Sequence, residues 1–225
     1  AVSSDDIDGV GFSGQMHGLV PLDRQGRPVR KAIIWCDARS VDEVEDIRRL
    51  LGNERLGEIT CNQIAAGFQT ASLLWMKKHE PALYEKTETV LLPKDYLRYR
   101  LTGCLSTDVT DAAGTLALNV RQAAWSDELI RTLGLRRSLY PKIYLPQDFA
   151  GEVTAAASAE TGLKAGTKVF HGGADQVMQA IGNGIIAPGQ VSVTISTGAQ
   201  VFAPIASAIY DKQLRAHTFN NFQQD

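Results

Sequence analysis

Lys168-Val169-Phe170-His171-Gly172-Gly173-Ala174-Asp175-Gln176 is the stretch that decides how this chain is read. Val169 and Phe170 have the apolar, β-favouring character of a buried strand end. Gly172 and Gly173 permit a sharp turn through backbone angles that other residues avoid. From Asp175 onward, Val177, Met178, Ala180 and Ile181 recur at near-helical spacing. Strand, glycine turn and helix together put Asp175 at the carboxyl end of a strand, where open α/β sheets bind ligands. The dipole of the following helix favours an ionised carboxylate there. Asp175 is therefore a candidate general base. On this segment alone the alternative stays open: an N-cap that only satisfies backbone donors.

Outward from this stretch, the pattern alternates strands and helices. Residues 7–12 and Gly18 to Leu22 read as strands, the second closed by the turn Asp23-Arg24-Gln25-Gly26. Ala32 to Trp35 reads as a third. Ser40 followed by Glu43 predicts a helix opened by a capping box, with Val41, Val44, Ile47, Leu50 and Leu51 as its apolar stripe and Gly52 as its stop. Further helices are predicted over Thr70 to Lys78, with Leu73, Leu74 and Met76 in the core, and from Pro93 to about Leu101, stopped by Thr102-Gly103. Another is capped by Ser126 and runs through Leu133, stopped by Gly134, and a short one covers Ala155 to Thr161. Val90-Leu91 and Gly151 to Thr154 are strand-like. Beyond Gly182-Asn183-Gly184, Gln190 to Ile195 and Ala199 to Ala203 alternate like a β-hairpin. A boundary near Ile185 to Gly189 divides the chain into residues 1–185 and 186–225.

Bulk properties exclude several classes. Of the 225 residues, 44% are hydrophobic and 21% charged, an ordinary globular composition. With 23 Lys+Arg against 25 Asp+Glu, the net charge of -2 offers no electrostatic footprint for nucleic acid or an anionic membrane. No apolar run approaches a membrane span. Ala1-Val2-Ser3-Ser4-Asp5-Asp6 has neither the basic nor the apolar region of a signal peptide. Cys36, Cys61 and Cys104 form no CxxC pair, which predicts reduced thiols in a cytoplasmic protein. The four histidines show no metalloprotease spacing.

Three more segments carry polar chemistry. Gly11-Phe12-Ser13-Gly14-Gln15-Met16-His17-Gly18 is a glycine-dense turn between strands, from which His17 can bond a hydroxyl or serve structure alone. Gln15 stands where a nucleophile elbow needs glycine, so Ser13 is not read as a nucleophile. In Ala32-Ile33-Ile34-Trp35-Cys36-Asp37-Ala38-Arg39, Trp35 is either a wall for a sugar face or a core residue beside a surface Asp37–Arg39 pair. Thr194-Ile195-Ser196-Thr197-Gly198 is either an ordinary hairpin turn or a phosphate cradle of amides and hydroxyls.

In order along the chain, these segments resemble the FGGY carbohydrate kinases. Residues 11–18 look like the family's sugar-contact turn and 32–39 like the strand and exit beyond it. Leu-Leu-Pro-Lys-Asp-Tyr-Leu-Arg-Tyr-Arg-Leu-Thr-Gly (91–103) is similar to its characteristic helix, and Thr107-Asp108 with Asp111-Ala112-Ala113-Gly114-Thr115 to the next segment. Gly-Gly-Ala-Asp-Gln (172–176) matches its catalytic motif. Ser72 stands where the family usually has lysine, and Gln69 where a small hydroxyl residue or proline is common. Some members carry Asp-Asn where this chain has Asp175-Gln176.

The resemblance implies an α/β, actin-like (ribonuclease-H-like) ATPase fold. Residues 1–185 would form most of the N-terminal sugar-binding domain, without its first strands. Residues 186–225 would begin the C-terminal nucleotide-binding domain, so that the chain reads as truncated at both ends. The implied reaction is transfer of a phosphoryl group from ATP, with Mg²⁺, to a keto-pentose, D-xylulose foremost. Glycerol, gluconate or a catalytically incomplete sugar-binding fragment are the alternatives. Asp175 would be the base, and Met16, His17, Asp175 and Gln176 would bind the sugar. Thr197 and Gly198 would approach the ATP phosphates, with no residue assigned to a metal. The expected partner is a small sugar, not nucleic acid or membrane, and a homodimer is an allowed state.

Overall fold

In the computed structural model, which describes residues 3–195 and 199–222, the chain begins with β1 (Gly9–Val10), β2 (Ser13–Gly14) and β3 (Val20–Leu22). Helices α1 (Val41–Leu51), α2 (Asn53–Thr60), α3 (Gln69–His79) and α4 (Pro81–Lys86) come after them. Next are β4 (Thr89–Leu91), α5 (Pro93–Thr102), β5 (Ser106–Asp108), α6 (Val109–Gly114), β6 (Leu118–Asn119) and β7 (Ala124–Trp125). Helix α7 (Asp127–Thr132) leads through β8 (Lys142–Tyr144) and β9 (Phe149–Glu152) to α8 (Ala155–Thr161). Strands β10 (Lys168–Phe170) and β11 (Gly173–Ala174), helix α9 (Asp175–Gly182) and the hairpin β12 (Ser192–Ile195) and β13 (Ala199–Phe202) complete the order.

The element that positions the site is a pair of neighbouring extended segments. β1 runs parallel to β10, which is antiparallel to β9, and β2 runs parallel to β11. Residues 9–14 therefore lie beside residues 168–174 with one interruption. At that interruption Gly172 has φ +67°, and a Cβ there would sit 2.1 Å from the carbonyl oxygen of Phe12. Only glycine fits. Pairing resumes with the Gly173 N–H donating to that same oxygen (3.0 Å).

The main core lies among the helices. Leu19, Ile33, Ile47, Leu73, Met76, Val109, Leu116 and Leu129 are all fully excluded from solvent. Helix α3 buries Leu73, Leu74 and Met76 as its sequence predicts. Two predicted helix ends form: Ser126 accepts from the Leu129 N–H at the start of α7, and Gly103 ends α5 in the left-handed conformation.

Several expectations are corrected. The strand expected over Ala32 to Trp35 shrinks to one bridge, Leu19–Ile33. Only Ile33 is buried, and the chain turns at once, with Asp37 accepting from the Arg39 N–H (3.0 Å) and guanidinium. Trp35 is 59% exposed, so it is not a core residue. The capping box at Ser40 does not form. Glu43 instead turns into the interior, where Lys78 (3.2 Å) and His79 (3.3 Å) meet its carboxylate. Val41 and Leu50 leave the expected stripe and face solvent. Helices α2 and α4 have no counterpart in the sequence reading. Gly52 both ends α1 and starts α2, so one stop signal hides a second helix.

The hairpin expected after Gly189 is present, with Ser192 opposite Phe202 and Ile195 opposite Ala199. Val193, Ile195 and Val201 on it are exposed. The segment after it returns to the helical part, where Ala208, Tyr210 and Phe219 pack against the main core. Among the described residues no helix is long and apolar enough to cross a membrane.

Candidate active site

Parallel pairing of β2 with β11 brings the carboxyl ends of two strands side by side. The turn carrying Met16 and His17 leaves one, and α9 with Asp175 and Gln176 leaves the other. Met16, Ala174 and Val177 share one buried cluster, with Phe202 and Phe219 packed against it. Met16 therefore packs beside the start of the helix that carries Asp175 and Gln176, and Met16 and Gln176 line one cleft. Thr197 and Gly198 lie outside the described residues.

Asp175 is not the N-cap. Ala174 holds that position, and Asp175 is the first helical residue. One carboxylate oxygen accepts the Gln176 N–H (2.8 Å). Burial raises the Asp175 carboxyl above the ordinary aspartate value, and the Gln176 bond only partly offsets it. That direction makes a stronger base.

His17 sits at φ +71°, and the Gly18 N–H closes the turn onto the Met16 carbonyl (2.9 Å). Its Nδ1 lies 2.6 Å from the Gly114 carbonyl oxygen. A carbonyl only accepts, so Nδ1 carries the proton and Nε2 keeps its lone pair. Burial pushes the His17 pKa down to about 4 against the opposing Gly114 bond, with His217 adding to the fall. The ring is neutral at pH 7 and presents an acceptor. Phe68 lies under it, ring centres 3.9 Å apart. Gln69, the departure from the usual family residue, is buried and donates to the Gly18 carbonyl (3.0 Å). It thereby anchors the end of the His17 turn.

Behind the site lies a buried charge network whose members the sequence reading names only as part of motifs. The Lys94 ammonium contacts Asp95 (2.7 Å), Asp108 (2.6 Å) and Asp111 (3.1 Å). Arg98 adds a contact to Asp95 (2.7 Å) and donates to the His171 carbonyl (3.3 Å). All five charged side chains are essentially inaccessible to solvent. Burial works against the Lys94 ammonium, but the three carboxylates overcome it and hold it protonated. Burial also drives the Asp111 carboxyl well above its usual range, with Lys94 opposing the rise and Asp108 and Asp95 adding to it.

The network reaches Asp175 through one threonine. Asp108 accepts from the Thr110 hydroxyl (2.5 Å), and that hydroxyl accepts the N–H of Ala174 (2.9 Å), the residue before Asp175. Lys94 also lies directly beneath Gly14, where a Cβ would approach its own Cβ to 2.6 Å. Both strand ends of the site therefore rest on Lys94 and Asp108. Their sequence signal is their place in the motifs 91–103 and Thr107-Asp108.

Asp95, Asp108 and Asp111 place oxygens close enough together to hold a cation. Lys94 already supplies that cation, so this cluster does not fit a metal ion. A cleft of about 470 Å³ opens beside the site, lined by Met16, Gln176, Phe202, His217 and Phe219 among others. Its size is that of a small-molecule pocket.

The sequence profile of the FGGY family of carbohydrate kinases, N-terminal domain, matches residues 1–182. The chain belongs to this family. As a family member it is 38% identical over 224 residues to the xylulose kinase of Bacillus subtilis (strain 168), covering 100% of this chain and 45% of that protein. The crystal structure of xylulose kinase from Rhodospirillum rubrum superposes with a TM-score of 0.88 at 28% identity, over 96% of this chain and 44% of the other. A gluconate kinase from Lactobacillus acidophilus superposes at 0.81 with 25% identity, over 86% and 39%. The fold is thus that of the FGGY kinases, an actin-like α/β architecture. The chain spans about 45% of the length of the curated relatives it matches.

Proposed function

We propose that this chain is the sugar-binding part of a xylulose kinase, in which Asp175 takes the proton of the attacking sugar hydroxyl. The observation that carries this reading is the placement of Asp175 and His17 at adjacent strand ends, the first with a raised carboxyl pKa and the second a neutral acceptor. Residues 1–185 form the sugar-binding domain in this reading, and 186–225 begin the nucleotide-binding domain.

Kinase membership implies ATP and a divalent metal, Mg²⁺ in our reading. When bound, they supply the phosphoryl group and offset its developing charge. The described residues do not assemble a site for either, because Lys94 fills the acidic cluster and Thr197 and Gly198, the proposed phosphate contacts, lie outside them. What this chain contributes is sugar chemistry. His17 Nε2 accepts a sugar hydroxyl. Gln176, whose amide can both donate and accept, meets another. Asp175 accepts the proton of the reacting hydroxyl as it becomes nucleophilic.

A neutral sugar suits the cleft better than a sugar acid. Among the described residues lining it, the cation is Arg215, and Asp211 already holds that guanidinium at 2.6 Å. Calorimetric titration of this chain with D-xylulose, glycerol and gluconate tests the assignment. D-Xylulose binding tightest supports it. Preference for gluconate would replace the substrate.

A further inference from the structure

The segment after β13 brings a second imidazole, His217, to the cleft lined by Met16, Gln176 and Phe219, with His17 one aromatic ring away. Tyr210 and Leu214 close over α2 at Gly57, where an added Cβ would meet Tyr210 at 2.7 Å and Leu214 at 2.9 Å. Asn62, fully buried, clamps residues 217 and 218 just beyond them. Its amide nitrogen donates to the carbonyls of Thr60 (2.6 Å) and Thr218 (2.8 Å). Its Oδ1 accepts the Thr218 N–H (2.9 Å) and lies 3.0 Å from His217 Nδ1. Asn220 fastens the next turn of chain by donating to the Val120 carbonyl (2.9 Å).

These bonds define the chemistry of His217. Because the Asn62 nitrogen faces carbonyls, which only accept, the atom facing His217 must be the amide oxygen. Nδ1 of His217 therefore carries the proton and Nε2 keeps its lone pair. His17 reaches the same state through Gly114. Burial lowers the pKa of both rings, so both are neutral near pH 7. Among the described residues no protein group bonds Nε2 of either.

The two imidazoles alternate with two phenyl rings. His17 neighbours Phe68 (3.9 Å between ring centres) and Phe219 (6.1 Å). His217 neighbours the same rings at 6.0 and 5.5 Å, lying within 9° of parallel to Phe219. The phenyl rings fix the orientation of the two imidazoles, and the two lone pairs can accept two hydroxyl protons. A carboxylate would meet those lone pairs unfavourably.

We infer that His217 is a second hydroxyl-accepting residue of the sugar site, paired with His17, and that the pair selects uncharged polyhydroxylated ligands over anionic ones. This rests on the sugar-kinase reading of the site. The test uses the 225-residue chain with D-xylulose and gluconate, read by calorimetry and by imidazole ¹⁵N resonances. On saturation with D-xylulose, the Nε2 resonances of both His17 and His217 should move. His217→Phe keeps a ring but no acceptor, and should weaken D-xylulose binding about 2- to 12-fold, the equivalent of one ordinary hydrogen bond. Gluconate binding should not weaken with it. His217→Gln, which restores an acceptor, should recover part of the loss. If D-xylulose moves the His17 resonance alone and His217→Phe binds as well as the wild type, the inference is overturned while the sugar reading stands. A wild-type chain that binds no polyol at all would overturn both.

Discussion

His17 occupies a backbone region that costs a residue with a β-carbon about 1–2 kcal/mol. What the strain secures is a ring with one nitrogen tied to Gly114 and the other left as an acceptor. Its pKa of about 4 against 6.5 has a consequence for stability. Below the unfolded pKa the unfolded chain binds a proton that the folded ring refuses. Stability is therefore intact above about pH 6.5 and is lost as pH falls toward 4, by up to ~3 kcal/mol from this residue. His171 and His217 are also depressed and act in the same direction. His17→Asn, which tolerates the left-handed region, should show a shallower loss in urea unfolding between pH 7 and 4.5. An unchanged slope would mean that His17 titrates normally. Asp175 and His17 are legible in the sequence because glycines beside a polar residue mark a ligand-facing turn. The electrostatic direction at Asp175 is not, since it depends on burial supplied by other elements.

Between elements, the Lys94 network joins α5, β5 and α6 to both strands of the site. Removing its cation leaves buried carboxylates unpaired, and Lys94→Met should cost about 3–5 kcal/mol in chemical denaturation. Asp111→Asn should do the opposite. Burial raises the Asp111 carboxyl in the folded chain above its unfolded value, so the wild type loses stability as pH rises above ~4. The asparagine variant escapes that loss, and its advantage should grow from pH 4 to 7. A Lys94→Met protein as stable as the wild type, or an Asp111→Asn advantage that shrinks with pH, would contradict this balance.

Thr110 acts on Asp175 only through Ala174, which makes it a positioning residue. In a kinase-length protein containing this chain, Thr110→Val should lower kcat about 10- to 100-fold with little change in KM, given the cost of ~1 Å misplacement. Thr110→Ser should restore most of it. Equal losses in kcat and KM without rescue by serine would point to a general structural role.

Elements with local signals are readable from sequence: Ser126 caps α7 and Gly103 ends α5. Those set by distant partners are not. Glu43 abandons its capping box for Lys78, 35 residues away, and the Ala174–Thr110 bond spans 64 residues.

For the whole molecule, the cleft is assembled from both ends of the chain. Met16 comes from the first strands, Gln176 from α9 and Phe219 from the returning segment. Motif order along the sequence points to the family and the fold. It does not reveal the return of residues 205–222, because Asn62 and His217 meet across 155 residues with no periodic pattern to announce it. Asp175 as the proton acceptor in sugar phosphorylation is the central claim. The most direct test is D-xylulose-dependent ADP release by a kinase-length protein carrying Asp175→Asn, with D-xylulose affinity measured in parallel. Asparagine keeps the shape but cannot take the proton. A fall in turnover of ~10²–10⁴-fold with sugar affinity nearly unchanged is the predicted result. Turnover near that of the wild type would contradict it.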